Sequence, residues 1–292
     1  MKKLKVLTSY DYVNCYPSVG TAFEDALKRR EDVEVYRNGE IVPEAVDVCF
    51  NTLPKASLNR GPLTVWWDIE ACNYHIIGIN GEFEADLVLA PYTCDLDVYP
   101  KGTYLMPFAC DRLNWHYYKV PITSEVGFIG REDYNRTRRV EYLNCLQDHV
   151  DLFRGYGFDR GEKVSKKLSE SKILMQITGD ALGGVMETRF FEIGLIGLMA
   201  CDLTEANKAD MNWVAVPDYH YIAFETKEEM VEKIWQVLGN EPLRKEMRRR
   251  AFKNHLKKHT YDVRVREFLE TIGFLKGPGL VKLHARRPKW QE

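Results

Sequence analysis

Residues 177–199 read ITGDALGGVMETRFFEIGLIGLM. An apolar run closes at Ile177, a loop holding Gly179, Gly183 and Gly184 follows, and from Thr188 the residues are mostly apolar. Strand, glycine loop, helix is the order from which parallel α/β sheets are built. The same order makes a place for an anion. The first backbone N–H groups of a helix have no intrahelical partner, and the helix dipole adds partial positive charge there. Glycines let a ligand approach the backbone closely. Arg189, in the first turn, offers a planar fork for phosphate oxygens. Glu192 stands three residues further on in an apolar setting, where a carboxylate needs partners. Two partners suit it: Arg189 itself, or the vicinal hydroxyls of a ribose.

The rhythm continues outward from this segment. Towards the amino terminus, short apolar runs at 4–9, 33–37, 45–51, 63–67, 86–90 and 103–106 read as strands, and 21–30 as a helix with Ala22, Phe23, Ala26 and Leu27 on one stripe. Several runs are continuously apolar, as in strands buried on both faces of a parallel sheet. Residues 107–124, where Pro107 and Pro121 flank Trp115, His116, Tyr117 and Tyr118, read as the passage to a second domain. The pattern then restarts, with strands expected at 125–129, 150–153, 172–177, 199–203 and 221–224 and helices at 138–146, 162–170 and 188–198. Thr226 and Glu229 form a capping box that opens another helix. A basic helix follows at 241–258, and a final helix from Asp262 carries Val265, Phe268, Leu269 and Ile272 in register. Two successive α/β units with C-terminal helices are expected.

Composition narrows the function classes. The chain has 292 residues, 45% hydrophobic and 29% charged, which excludes disorder as its main state. No apolar run approaches the ~18 residues of a membrane-spanning helix. The start, MKKLKVL, turns polar at Thr8 and reads as a first strand rather than a signal-peptide core. Seven cysteines without a Cys-x-x-Cys pair suggest reduced thiols in a cytoplasmic protein. Residues 241–292 hold 15 basic and 6 acidic residues, net +9, on a body of net −11. Such an end suits a phosphate-bearing partner, nucleic acid included, or is a solvated helix face. His255 and His259 are four apart, but they sit amid lysines without the acidic residue of a zinc-protease motif, so they read as surface and no metal is expected. No Ser-centred nucleophile elbow and no Walker-type loop occurs, which argues against hydrolases and P-loop NTPases.

Other candidate sites lie at expected strand ends, where α/β folds place ligands. Gly130 and Arg131 follow one strand, with Arg136, Arg138 and Arg139 close behind; the alternative is an ordinary strand end with an exposed Arg-rich helix start. Tyr12 and Asn14 follow the first strand, and Asp68, Glu70, Asn73 and His75 follow the run at 63–67. Asp68, Glu70 or His75 suits a general base towards an acceptor hydroxyl.

The segment ETRFFEIGLIGLM at 187–199, continued by Ala200, Cys201 and Asp202, resembles the R-x-FE-x-x-x-x-G helix of GT-B glycosyltransferases, closest to the spore-maturation CgeB-like branch. The V-x-F-x-G strand at 126–130, the G-x-G turn at 155–157, the HTY-x-x-R stretch at 259–264 and LMPFACD at 105–111 follow the same order and spacing. The resemblance implies two Rossmann-like domains facing a cleft: an acceptor domain at 1–115, a nucleotide-sugar domain at 116–261, and a crossover helix with a basic tail at 262–292. It implies a hexosyl- or pentosyltransferase that uses a nucleoside diphosphate sugar and needs no obligatory cofactor. Glu192 would hold the donor ribose; Arg189, Gly183 and Gly184 would line the diphosphate; Gly130 and Arg131 would face the donor. Tyr12, Asn14, Glu70 and His75 are the candidates for the acceptor, with Asp68 as base. Possible acceptors are a hydroxylated base in DNA, a surface glycan or a lipid. The place eight residues before Glu192, a Glu in the retaining branch, is Gly184 here, so the stereochemical outcome stays open. A nucleotide-sugar epimerase and a non-catalytic nucleotide-binding module stay open with it.

Overall fold

A computed structural model describes residues 2–9, 19–38, 42, 45–52, 62–69, 85–91, 99–130, 132, 137–155, 161–178 and 188–283. The chain folds into two compact units, Met1–Phe108 with Tyr261–Glu292, and Ala109–Thr260.

The first unit is built on a sheet of β1 (Leu4–Ser9), β2 (Val33–Arg37), β3 (Val48–Asn51), β4 (Leu63–Trp67), β5 (Leu87–Ala90), β6 (Tyr104–Leu105) and β12 (Val281–Lys282). Its order is β12-β6-β5-β4-β3-β1-β2, parallel except where β12 pairs with β6. Every residue of β3 is buried, as its unbroken apolar run requires of a strand covered on both faces. An aromatic cluster fixes the covering helices, α1 (Val19–Lys28) and α8 (Tyr261–Thr271). Phe23 of α1 stacks on Phe50 of β3 at 4.6 Å, and Phe268 of α8 meets both rings edge-on at 5.8 and 5.2 Å. Trp67 completes the cluster and donates its indole N–H to the Met106 carbonyl at 2.9 Å. Arg264, from the HTY-x-x-R stretch, is buried and donates from Nε to the Pro107 carbonyl at 2.8 Å.

The second unit carries β7 (Ser124–Ile129), β8 (Leu152–Gly155), β9 (Ser171–Gln176), β10 (Met199–Asp202) and β11 (Ile222–Phe224), all parallel, in the order β11-β10-β9-β7-β8. Around it lie α2 (Thr137–Gln147), α3 (Glu162–Leu168), α4 (Thr188–Ile196), α5 (Lys208–Val214), α6 (Lys227–Leu238) and α7 (Glu241–Lys258). Its core joins Val126 and Phe128 of β7, Ile173 and Met175 of β9, and Met230 and Ile234 of α6. The short α5 and the two-residue β12 are absent from the expected elements; two or three apolar residues are too few to set a period.

At the start of α6 the Thr226 hydroxyl accepts from the Glu229 N–H at 3.1 Å, while the Glu229 carboxylate accepts from the Glu225 N–H at 2.8 Å. The box thus closes one residue earlier than the motif describes. Thr226→Ala should cost about 1 kcal/mol, read as a lower melting temperature. A melt unchanged from the native chain would show that the cap contributes nothing here.

Candidate functional site

In both sheets the strand order reverses once, between β1 and β3 in the first and between β7 and β9 in the second. Neighbouring crossovers leave in opposite directions at such a point, and the crevice at the carboxyl ends of the strands is where α/β sheets take ligands.

In the second unit that point is held by buried charge. Arg139, 3% exposed, lies over the Phe128 ring and donates from Nε and Nη2 to the Ile177 carbonyl at 2.9 and 2.7 Å. Asp202, wholly buried at the end of β10, accepts from the Thr178 N–H at 2.9 Å and its hydroxyl at 2.8 Å, and from Arg138 Nε at 3.1 Å. Burial pushes the Asp202 carboxyl up, and these same bonds pull it back. The Arg-rich start of α2 is therefore no exposed surface feature. Both arginines fix the chain where it leaves β9 for α4. Gly130 follows β7, and its glycine has a local cause: a Cβ there would stand 2.7 Å from the Phe128 ring.

The apolar side of α4 pins the helix. Phe190 and Phe191 are fully buried, each worth roughly 2–3 kcal/mol by burial. Two glycines let neighbours come close: a Cβ on Gly197 would meet Leu174 of β9 at 2.8 Å, and one on Gly194 would meet the His255 ring of α7 at 2.4 Å. Arg189 and Glu192 share the remaining face, with Arg189 Nε 3.4 Å from a Glu192 carboxylate oxygen. The guanidinium lies 5.3 Å over the Trp115 ring. Its Nη1 is buried without an acceptor among the described residues. A helical i, i+3 pair is worth only about 0.3–0.5 kcal/mol, so this contact alone holds Arg189 only weakly.

His255 and His259, expected on the surface, are buried at 1% and 3% exposure. His255 sits in the notch left by Gly194, with Nδ1 2.9 Å from the Ala251 carbonyl; Nε2 of His259 is 3.0 Å from the Val214 carbonyl. Burial holds the His255 imidazole down to about 4. Among the described residues no three His, Cys, Asp or Glu side chains gather as metal ligands.

In the first unit, Ser9, Asn51 and Thr52 are buried at the carboxyl ends of β1 and β3, where Thr52 N–H donates to the Ser9 carbonyl at 3.0 Å. Asn51, which the sequence reading missed, buries Oδ1 without a donor among the described residues. Asp68 follows β4, wholly buried, and accepts from the Tyr99 hydroxyl at 3.0 Å. Tyr12, Asn14, Glu70, His75, Arg131, Gly183 and Gly184 lie outside the described residues.

Residues 138–270 match a family model described as glycosyl transferase-like. The fold is that of the GT-B glycosyltransferases. HepE of Anabaena, solved in complex with UDP and glucose, has 11% identity and a TM-score of 0.65, covering 94% of this chain and 100% of its own. An α-glucosyltransferase solved with UDP and a 13-mer DNA containing a HMU base has 9% identity and a TM-score of 0.61, covering 93% and 99%. TarM of S. aureus has 11% identity and a TM-score of 0.54; the alignment covers 76% of this chain and 54% of TarM, so the chain spans about half its length. No curated protein sequence matches the chain. No helix among the described residues is long and apolar enough to cross a membrane.

Proposed function

We propose that this protein is a glycosyltransferase that moves a hexosyl or pentosyl group from a nucleoside diphosphate sugar to an acceptor hydroxyl. The observation that carries the reading is the first turn of α4. Arg189 keeps a buried N–H without an acceptor among the described residues, beside Glu192 on the helix that follows the switch-point strand β9. Negative charge builds on the diphosphate as the glycosidic bond breaks. The first N–H groups of α4 and the Arg189 guanidinium stabilise that charge, with no metal required by the scheme. Gly183, Gly184, Gly130 and Arg131 line the donor in this reading, and Glu192 accepts from the ribose hydroxyls. If the anomeric centre inverts, Asp68 takes the acceptor proton; if it retains, no base is needed there. Tyr12, Asn14, Glu70 and His75 belong to the acceptor side. Within the glycosyltransferases we place the chain near the CgeB-like branch, on the order of its motifs.

Glu192→Ala tests the donor assignment. Two lost hydrogen bonds to a charged acceptor, at about 1.5 kcal/mol or more each, should raise the dissociation constant of uridine or guanosine diphosphate by about 100-fold or more. The native chain should also prefer the nucleotide over its dideoxyribose analogue, and the variant should lose that preference. A preference that survives in Glu192→Ala would move the ribose elsewhere. Tight nucleotide binding without hydrolysis or transfer of any labelled sugar would identify a non-catalytic module, and interconverted sugars an epimerase.

Two acceptor classes have support. A hydroxylated DNA base draws on the likeness to the DNA-bound α-glucosyltransferase and on the basic end of the chain. A surface glycan or lipid is favoured by how that basic charge is placed. Arg264 is buried, Arg244 donates to the Val237 and Leu238 carbonyls, and the outer face of α7 mixes its cations with apolar side chains.

A further inference from the structure

The outer face of α7 has no role in the chemistry proposed above. Met247, Ala251 and His255 are its buried residues, a stripe at four-residue spacing that faces α4. The opposite stripe, Lys245, Arg249, Phe252 and Leu256, follows helical spacing of four, three and four. Phe252 and Leu256 are 41% and 43% exposed, and the Lys245 and Arg249 side chains 75% and 53%. Lys253 and Lys257 flank the apolar pair and are also exposed. Neither forms an ion pair with a carboxylate among the described residues. Glu241 and Glu246, which pair with Lys245, Arg249 and Arg250, are the helix's only acids against eight Lys and Arg over 241–258. Beside the stripe runs a cleft of about 470 Å³, lined by Gly194–Gly197 and Phe252, by His116 and Tyr117, and by the cations Lys245, Arg248 and Arg249.

We infer that this face of α7 docks the second unit on an anionic lipid bilayer. The cations Lys253 and Lys257, unpaired among the described residues, stand beside an exposed phenyl and isobutyl pair and complement an anionic bilayer surface. The helix's charges meet anionic headgroups, and its apolar side chains enter the acyl boundary. The cleft offers a lipid tail the apolar Leu195, Ile196 and Phe252 next to the cations Lys245, Arg248 and Arg249. Nucleic acid is the poorer match. Duplex DNA meets a protein through its phosphates, which the Lys and Arg here would serve but which leave the exposed Phe252 side chain without a partner. The exposed leucine contributes nothing to a phosphate backbone. The inference does not depend on the transferase reading, because its test uses neither donor nor acceptor.

The test is co-sedimentation of the full chain with vesicles of equimolar phosphatidylglycerol and phosphatidylcholine, against vesicles of phosphatidylcholine alone. Binding is expected on the anionic vesicles only and should fall as salt rises. Lys253→Gln with Lys257→Gln should lower the partition coefficient about thirtyfold, two charges at roughly fivefold each or slightly more. Phe252→Ser with Leu256→Ser should lower it too, while salt dependence is kept. All four positions are exposed, and unchanged thermal melts of both variants confirm that they fold. Absence of native binding to anionic vesicles overturns the inference, and so does native-level binding by both variants. Salt-sensitive binding to duplex DNA that the two Lys→Gln changes abolish, with vesicle binding unaltered, overturns it in favour of a nucleic-acid surface.

Discussion

Arg189→Ala is expected to lower kcat for sugar transfer by about 100- to 1000-fold, the usual loss when one preorganised donor to a developing oxyanion is removed. The reason lies in where the guanidinium stands. Its carbon is 5.3 Å over Trp115 and its Nε is 3.4 Å from Glu192, so the group is already oriented before a ligand arrives. One nitrogen is buried with no acceptor among the described residues, a costly state that a diphosphate oxygen would relieve. Arg189→Lys keeps the charge but loses the planar fork, so it should recover only part of the rate. The measurement is single-turnover transfer or donor hydrolysis with a labelled sugar nucleotide, with donor affinity taken separately. A rate within threefold of native in Arg189→Ala, as a loose threshold, would remove this residue from transition-state stabilisation.

The second large effect is on stability, at the contact between α4 and α7. Gly194→Ala places a methyl 2.4 Å from Cδ2 and Nε2 of His255, a distance real side chains do not adopt. The imidazole cannot swing aside easily, since it is wholly buried and its Nδ1 is held 2.9 Å from the Ala251 carbonyl. Overpacking of this kind costs about 1–3 kcal/mol, and His255→Ala in the same chain should recover most of it. The same residue predicts an acid limb. Its folded value is about 4, against 6.5 for a free imidazole. The unfolded chain therefore binds a proton that the folded chain refuses. Stability from this residue is complete above about 6.5 and is lost as pH falls from there towards 4, by about 3 kcal/mol at most. Asp202 works in the opposite direction, because burial raises its carboxyl and acid then favours the folded form. The comparison of native chain with His255→Leu isolates the histidine. Melting temperatures that fall in parallel between those two pH values would assign the acid limb to another group.

Much of the fold is legible in local pattern. Strand runs such as LTVWW and MACD are apolar enough to be read as buried on both faces, and they are β4 and β10. The Thr226 to Glu229 spacing marks the start of α6 because a cap is a contact between near neighbours. Arg189 and Glu192 stand out because both lie within one turn of a helix start that follows a glycine loop. What escapes local reading is each residue whose role is set by a distant partner. Arg139 looks like one more surface arginine until β9 brings the Ile177 carbonyl to it, 38 residues away. Asp202 reads as an ordinary strand end until Thr178 and Arg138 meet its carboxylate. Asn51 has no sequence signal at all beyond its place at the end of an apolar run.

The amino-acid sequence by itself determines two doubly wound α/β layers and where the helix carrying Arg189 and Glu192 begins, because strand burial, helix period and capping depend on residues a few positions apart. Only the tertiary structure decides that α8 joins the first unit by setting Phe268 edge-on against the stacked Phe23 and Phe50, and that His255 and His259 are interior rather than surface. On a helix as basic as α7 a three-residue buried stripe is too narrow to show in the pattern. Whether a histidine there faces water or protein depends on a single missing Cβ, that of Gly194, on a helix some 60 residues earlier in the chain.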